Sequence, residues 1–177
     1  MKKSEAAQQT ASIEFARQRK LKSEADIGKI FTGIALTKKG RHKSDVAQDY
    51  SEIFEREATA RLTSEGKFTD DGKAFVQMVA KWLDYTDDDI AKLMRKKATN
   101  IVSQLKDSLQ TSVNNNLFSV YRKAEATTKA YNADEYHNAE AKLFQANEAH
   151  EINQASLLTR AAEKAQGEAD LADARTA

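Results

Sequence analysis

Cysteine and proline are both missing from this chain of 177 residues, and each absence removes a class of explanation. Without cysteine there is no disulfide staple, no thiolate nucleophile and no cysteine-based zinc site. Proline at average usage would contribute roughly nine residues to a chain this long; a chain with none avoids helix breakers. Glycine is sparse, at six residues, and aromatics make up only 7%. No run approaches the roughly twenty consecutive apolar residues of a membrane-spanning helix. Lys2 and Lys3 look like a charged leader, but SEAAQQTASIEFARQR follows without an apolar core. The expectation is a soluble protein made in the cytoplasm. What remains abundant is alanine, lysine, glutamate, glutamine and leucine, the composition of an all-α protein with several long helices.

The strongest helical signal is Thr86 to Asn116. Ile90, Leu93, Met94, Ile101, Leu105 and Leu109 recur there at three- and four-residue spacing, which places them on one face. Thr86 followed three residues later by Asp89 is a variant capping box, and Asn114, Asn115 and Asn116 mark the stop. Upstream, Val46, Tyr50, Ile53, Phe54, Ala58 and Leu62 predict a helix from Asp45 to Glu65, started by Ser44 and Asp45 and closed by Gly66. Phe75, Val76, Val79, Trp82 and Leu83 predict another over about Asp70 to Tyr85, and Leu117, Phe118, Val120, Tyr121, Ala124 and Tyr131 one that returns along the core. The predicted architecture is all-α: a helical bundle core over residues 45–131, a basic amphipathic arm over 1–44 and a long alanine-rich helix over 132–177.

The arm carries eleven basic residues against four acidic ones, which leaves 17 basic and 23 acidic in the rest of the chain. Within it, IGKIFTGIAL (Ile27 to Leu36) is the most apolar window of the sequence, with Ile27, Ile30, Phe31 and Ile34 at helical spacing and Gly28 and Gly33 weakening the helix. Arg17, Arg19, Lys20 and Lys22 precede it; Lys38, Lys39, Arg41 and Lys43 follow. Three readings fit this pattern. The apolar face can dock on the core or a neighbouring subunit while the cations are solvated. It can lie in an anionic membrane surface. Or the cations can contact DNA phosphates without reading bases.

Chemistry finds little to build on. Asp134 and His137 approximate half of a two-metal helix motif, but Asn147 stands where His150 would need its acidic partner. His42, His137 and His150 have no zinc spacing, the acidic stretches Asp84 to Asp89 and Thr69 to Gly72 lack calcium-loop spacing, and no phosphate-binding glycine loop or nucleophile elbow is present. The expectation is a protein that is not an enzyme and uses no cofactor, metal or small-molecule substrate.

In the tail, Tyr136, Leu143, His150, Leu157, Lys164 and Leu171 fall seven apart with alanine at many neighbouring positions. That register predicts a partner helix, and the expectation is an oligomer interface on Tyr136, Leu143, His150, Leu157 and Leu171. The tail, Asn147 to Gln154 and then AAEKAQGEADLADARTA, taken with IGKIFTGIAL, resembles the internal or ejection proteins of tailed bacteriophages. The resemblance implies a helical, multicopy virion component that leaves with the DNA and helps form a conduit across the host envelope. It also implies that the stretch from Ile27 to Lys43 would meet membrane or DNA, with the tail helix against adjacent subunits. The sequence thus points to a structural subunit of a homo-oligomeric assembly, with a small nucleic-acid-binding accessory or regulatory protein as the alternative.

Overall fold

A computed structural model describes residues 2–36 and 40–176. Seven helices and no strand occur among the described residues: α1 (Lys2–Thr32), α2 (Lys43–Ala60), α3 (Asp70–Trp82), α4 (Asp87–Leu93), α5 (Ala98–Asn115), α6 (Ser119–Lys129) and α7 (Ala133–Thr176). The protein is an all-α helical bundle with a long C-terminal helix. Two compact units divide the chain. One holds Leu21–Tyr131. The other joins the residues up to Lys20 with those from Asn132 onward, so α1 contributes to both.

The Leu21–Tyr131 unit is built on α2 packed along α5. Tyr50, Phe54 and Ala58 of α2 meet Leu105, Leu109 and Val113 of α5 in a core whose members are almost wholly inaccessible. Polar groups at this contact are paired: the buried Ser51 hydroxyl donates to Gln48 O at 2.9 Å and accepts from Gln110 Nε2 at 3.0 Å. α3 adds Phe75, Val76, Val79 and Trp82, and the Trp82 indole N–H donates to Thr127 Oγ1 of α6 at 3.1 Å. Thr86 and Asp89 form the predicted capping box, Thr86 Oγ1 accepting from Asp89 N at 3.1 Å and Asp89 Oδ2 from Thr86 N at 3.2 Å. That hydrogen bonding to its carboxylate also holds the Asp89 pKa below the ordinary range.

Two expectations need correction. The long helix from Thr86 to Asn116 is two helices, interrupted at Met94 to Lys97, where Lys97 takes an extended conformation with ψ 146°. A straight helix of that length would run to about 46 Å, while its neighbours α2 and α3 span about 27 and 20 Å. The break keeps Ile90 and Leu93 on the same core as Ala98 and Ile101. The helix from Asp45 ends at Ala60 rather than at Gly66, and it is capped by the Asp45 carboxylate accepting from His42 N at 3.2 Å, not by Ser44. Gly66, with φ +78°, instead turns a short loop in which Leu62 and Phe68 form a β-bridge.

The apolar window of the arm follows the first of its three readings. α1 runs uninterrupted through Gly28, and the apolar window is core: Phe31 is inaccessible and Ile27 nearly so, with Ile30 and Ile34 half-buried against them. Phe31 lies 5.7 Å from the Tyr50 ring, 6.3 Å from Phe75 and 5.3 Å edge-on from Trp82. Its carbonyl, one of those that a helix end leaves without an internal partner, accepts the Tyr50 hydroxyl at 3.1 Å. Burial raises the pKa of that phenol. Aromatic residues of α2 and α3 provide the apolar surroundings of this window.

Candidate functional site

The other unit is a two-helix arrangement in which α1 and α7 run antiparallel. Asn153 Nδ2 donates to Ser4 Oγ at 3.2 Å, Gln8 Nε2 to Asn147 Oδ1 at 2.8 Å, and the Phe15 and Tyr136 rings lie 5.5 Å apart. Low numbers on α1 thus meet high numbers on α7. Along α7 the half-buried and buried positions are Tyr136, Ala139, Leu143, Ala146, Asn147, His150, Asn153, Gln154 and Leu157, a three-and-four spacing that traces one stripe. Along α1, Ser4, Gln8, Ala11, Phe15 and Gln18 do the same. Small and polar side chains dominate both stripes, and cross-helix amide bonds of this sort fix a register that an all-leucine seam would leave free to slip.

The predicted oligomer stripe is therefore corrected for most of its length. Tyr136, Leu143, His150 and Leu157 lie on the face that closes on α1 of the same chain. The partner helix that the alanine-rich register requires comes from the polar N-terminal segment, whose serine, glutamine and alanine residues admit close approach. Leu171 lies beyond this pairing and is 53% exposed.

A second face of this unit has no such partner. Among the described residues, the large apolar side chains left exposed are Ile13, Phe144, Ile152, Leu158 and Leu171, and all belong to the α1–α7 unit. Phe144, Ile152 and Leu158 fall within an arc of about 120° on a helical wheel, which adjoins the α1-facing stripe on the side of Leu158. Every described side chain from Leu158 to Ala172 is exposed. These residues are plainly apolar in the sequence, but the sevenfold repeat marks the adjoining stripe, and only the geometry separates the two faces.

The basic residues are divided between the two units. Arg17, Arg19 and Lys20 fall in the α1–α7 unit, and Lys22, Arg41 and Lys43 in the other; Lys38 and Lys39 lie outside the described residues. Arg17 is held by Glu14, with Nη2 2.8 Å and Nε 3.0 Å from its carboxylate oxygens, Lys22 pairs with Asp26 at 3.3 Å, and Arg41 pairs with Asp49. Arg19 sits over the Phe15 ring at 5.9 Å, while Lys20 and Lys43 are exposed. The hydrogen bonds from Arg17 and then Gln18 pull the Glu14 pKa from 4.5 to about 2. A depressed carboxylate stabilises the fold above its unfolded pKa, and that contribution is lost as pH falls toward 2. Carbon-detected NMR titration is expected to show Glu14 still ionised where neighbouring glutamates have protonated, and Arg17→Gln is expected to return it toward 4.5. An unchanged Glu14 midpoint in that variant would show that Arg17 does not hold it.

Among the described residues, no three histidine, aspartate or glutamate side chains come together to hold a metal ion, and no helix is long and apolar enough to cross a membrane. The fold thus defines a helical protein with one self-sufficient core and one unit that leaves apolar surface uncovered. No family model, no curated protein and no solved structure matches this chain.

Proposed function

We propose that this chain is a non-enzymatic structural subunit that assembles with further copies of itself through the outer face of the α1–α7 unit. The observation that carries the reading is the segregation of exposed apolar residues. The Leu21–Tyr131 unit buries its large side chains, whereas Phe144, Ile152 and Leu158 stand exposed at 64%, 70% and 71% on one helix. A helix pair with a bare apolar stripe gains by covering it with an equivalent stripe, as helix bundles do. A virion internal or ejection protein is the finer form of this proposal, supported by the alanine-rich tail and its organisation as one long helix.

Light scattering over a concentration series tests it. The wild-type chain is expected to form a discrete oligomer, and Phe144→Ser, Ile152→Ser and Leu158→Ser together are expected to release monomers with helical circular dichroism retained. Full burial of each side chain is worth about 1.5–3 kcal/mol, so association should weaken by roughly a thousandfold or more. A wild-type monomer at every concentration, or an oligomer indifferent to the triple substitution, would refute the assignment.

A further inference from the structure

A groove of about 670 Å³ in the Leu21–Tyr131 unit lies between the loop after α2, the first turn of α3 and the break between α4 and α5. Lys67, Lys73, Arg95, Lys96 and Lys97 line it, against a single carboxylate, Glu65. Arg95, Lys96 and Lys97 are consecutive, and the fold brings Lys67 and Lys73 to them from two other segments. Lys96 donates to Gln104 Oε1 at 2.6 Å, but no carboxylate among the described residues pairs with Lys67, Lys73, Arg95 or Lys97. Like charges gathered without counterions repel one another, and the whole chain is nearly neutral at +1, so this is a local excess. The start of α5 adds to it: its first turn holds no acidic residue and Lys97 supplies no capping side chain.

We propose that this groove binds the sugar-phosphate backbone of a nucleic acid. A nucleic-acid strand presents a negative charge about every 3.4 Å, which suits several cations set along a trough. An acidic peptide offers charge only at selected side chains, and a bilayer surface is too flat to enter a concave site. Phe68, the aromatic lining residue, is buried at 8% exposure and offers no platform for stacking a base. Recognition is therefore of phosphate, without sequence preference. All the lining residues belong to the Leu21–Tyr131 unit, and this inference stands or falls independently of the proposed self-assembly.

Fluorescence anisotropy with labelled duplex DNA of arbitrary sequence, titrated at several salt concentrations, tests it on the full chain. Wild-type binding is expected to weaken linearly in log salt. Lys73→Gln, Arg95→Gln and Lys97→Gln combined should weaken binding at least tenfold and flatten the salt slope by ~0.9 for each phosphate no longer neutralised. Arg17→Gln, Arg19→Gln and Lys22→Gln remove the same net charge elsewhere and should change binding little. Glu65→Gln should tighten it. All the substituted side chains are exposed, and circular dichroism checks that the helices persist. The assignment is overturned if wild-type protein shows no salt-dependent binding, or if the two triple variants lose affinity equally. It is also overturned if phosphatidylserine vesicles, and not DNA, are bound and then released on substituting the groove.

Discussion

Phe31→Ala is expected to destabilise the protein by about 3–5 kcal/mol, read as a lowered urea midpoint with little change in slope. The side chain is inaccessible, and truncation removes its packing against Tyr50, Phe75 and Trp82 together, leaving a cavity that three rigid rings cannot easily collapse to fill. Total stabilities of about 5–15 kcal/mol make this a large fraction of what holds the fold. Ile34→Ala, at a half-buried neighbour, should cost much less. The pair of variants separates two roles for the apolar window. If it were a face reserved for a membrane or another subunit, both substitutions would leave the isolated protein's stability nearly unchanged, and a loss at Phe31 below about 1 kcal/mol would sink the core assignment.

Gly28→Ala should also destabilise, against the ordinary preference of helices for alanine. A Cβ at position 28 would stand 2.3 Å from Thr128 Oγ1 and 2.7 Å from the Ala124 carbonyl oxygen. Thr128 can rotate, but it donates its hydroxyl to that same carbonyl at 2.9 Å, and the carbonyl belongs to the backbone of α6. The helices must separate, at a cost of about 1–3 kcal/mol that exceeds the ~1 kcal/mol gained in helix propensity. Gly167 in α7 provides the opposite case: an added Cβ meets nothing, so Gly167→Ala should stabilise its helix by up to ~1 kcal/mol. Thermal unfolding of the two variants should shift in opposite directions. A stabilised Gly28→Ala would mean that α1 and α6 do not approach as closely as the structure places them.

How much of the fold is legible in the sequence depends on whether a signal is local. The Thr86–Asp89 capping box, the stop at the asparagine triplet and the stripes of α2, α3, α5 and α6 involve residues within a turn or two of each other, and they appear where periodicity places them. The interruption at Met94 to Lys97 is hidden because Ile90, Met94, Ala98 and Ile101 keep helical spacing through it; core dimensions, not local preference, decide the bend. The role of Gly28 is hidden for a similar reason, since its neighbour Thr128 is a hundred positions away. The α7 stripe is visible in the sequence, but not that its partner is the first stretch of α1. The basic groove leaves only part of itself in the linear sequence: Arg95, Lys96 and Lys97 are consecutive, but nothing local joins them to Lys67 and Lys73, in a part of the chain whose summed charge is negative.

The pairing of α1 with α7 joins residues up to 149 positions apart, Ser4 with Asn153, and so sets an order of events in time. A ribosome adds about 5–20 residues per second. The Leu21–Tyr131 stretch is therefore made before the helix that covers Ser4, Gln8 and Phe15. During that interval the early part of α1 has no mate, and its serine, glutamine and alanine residues tolerate water in a way that a leucine seam would not. The polar character of the seam, which weakens it as a zipper, lets the earlier segment wait for the later one without becoming a site of premature aggregation.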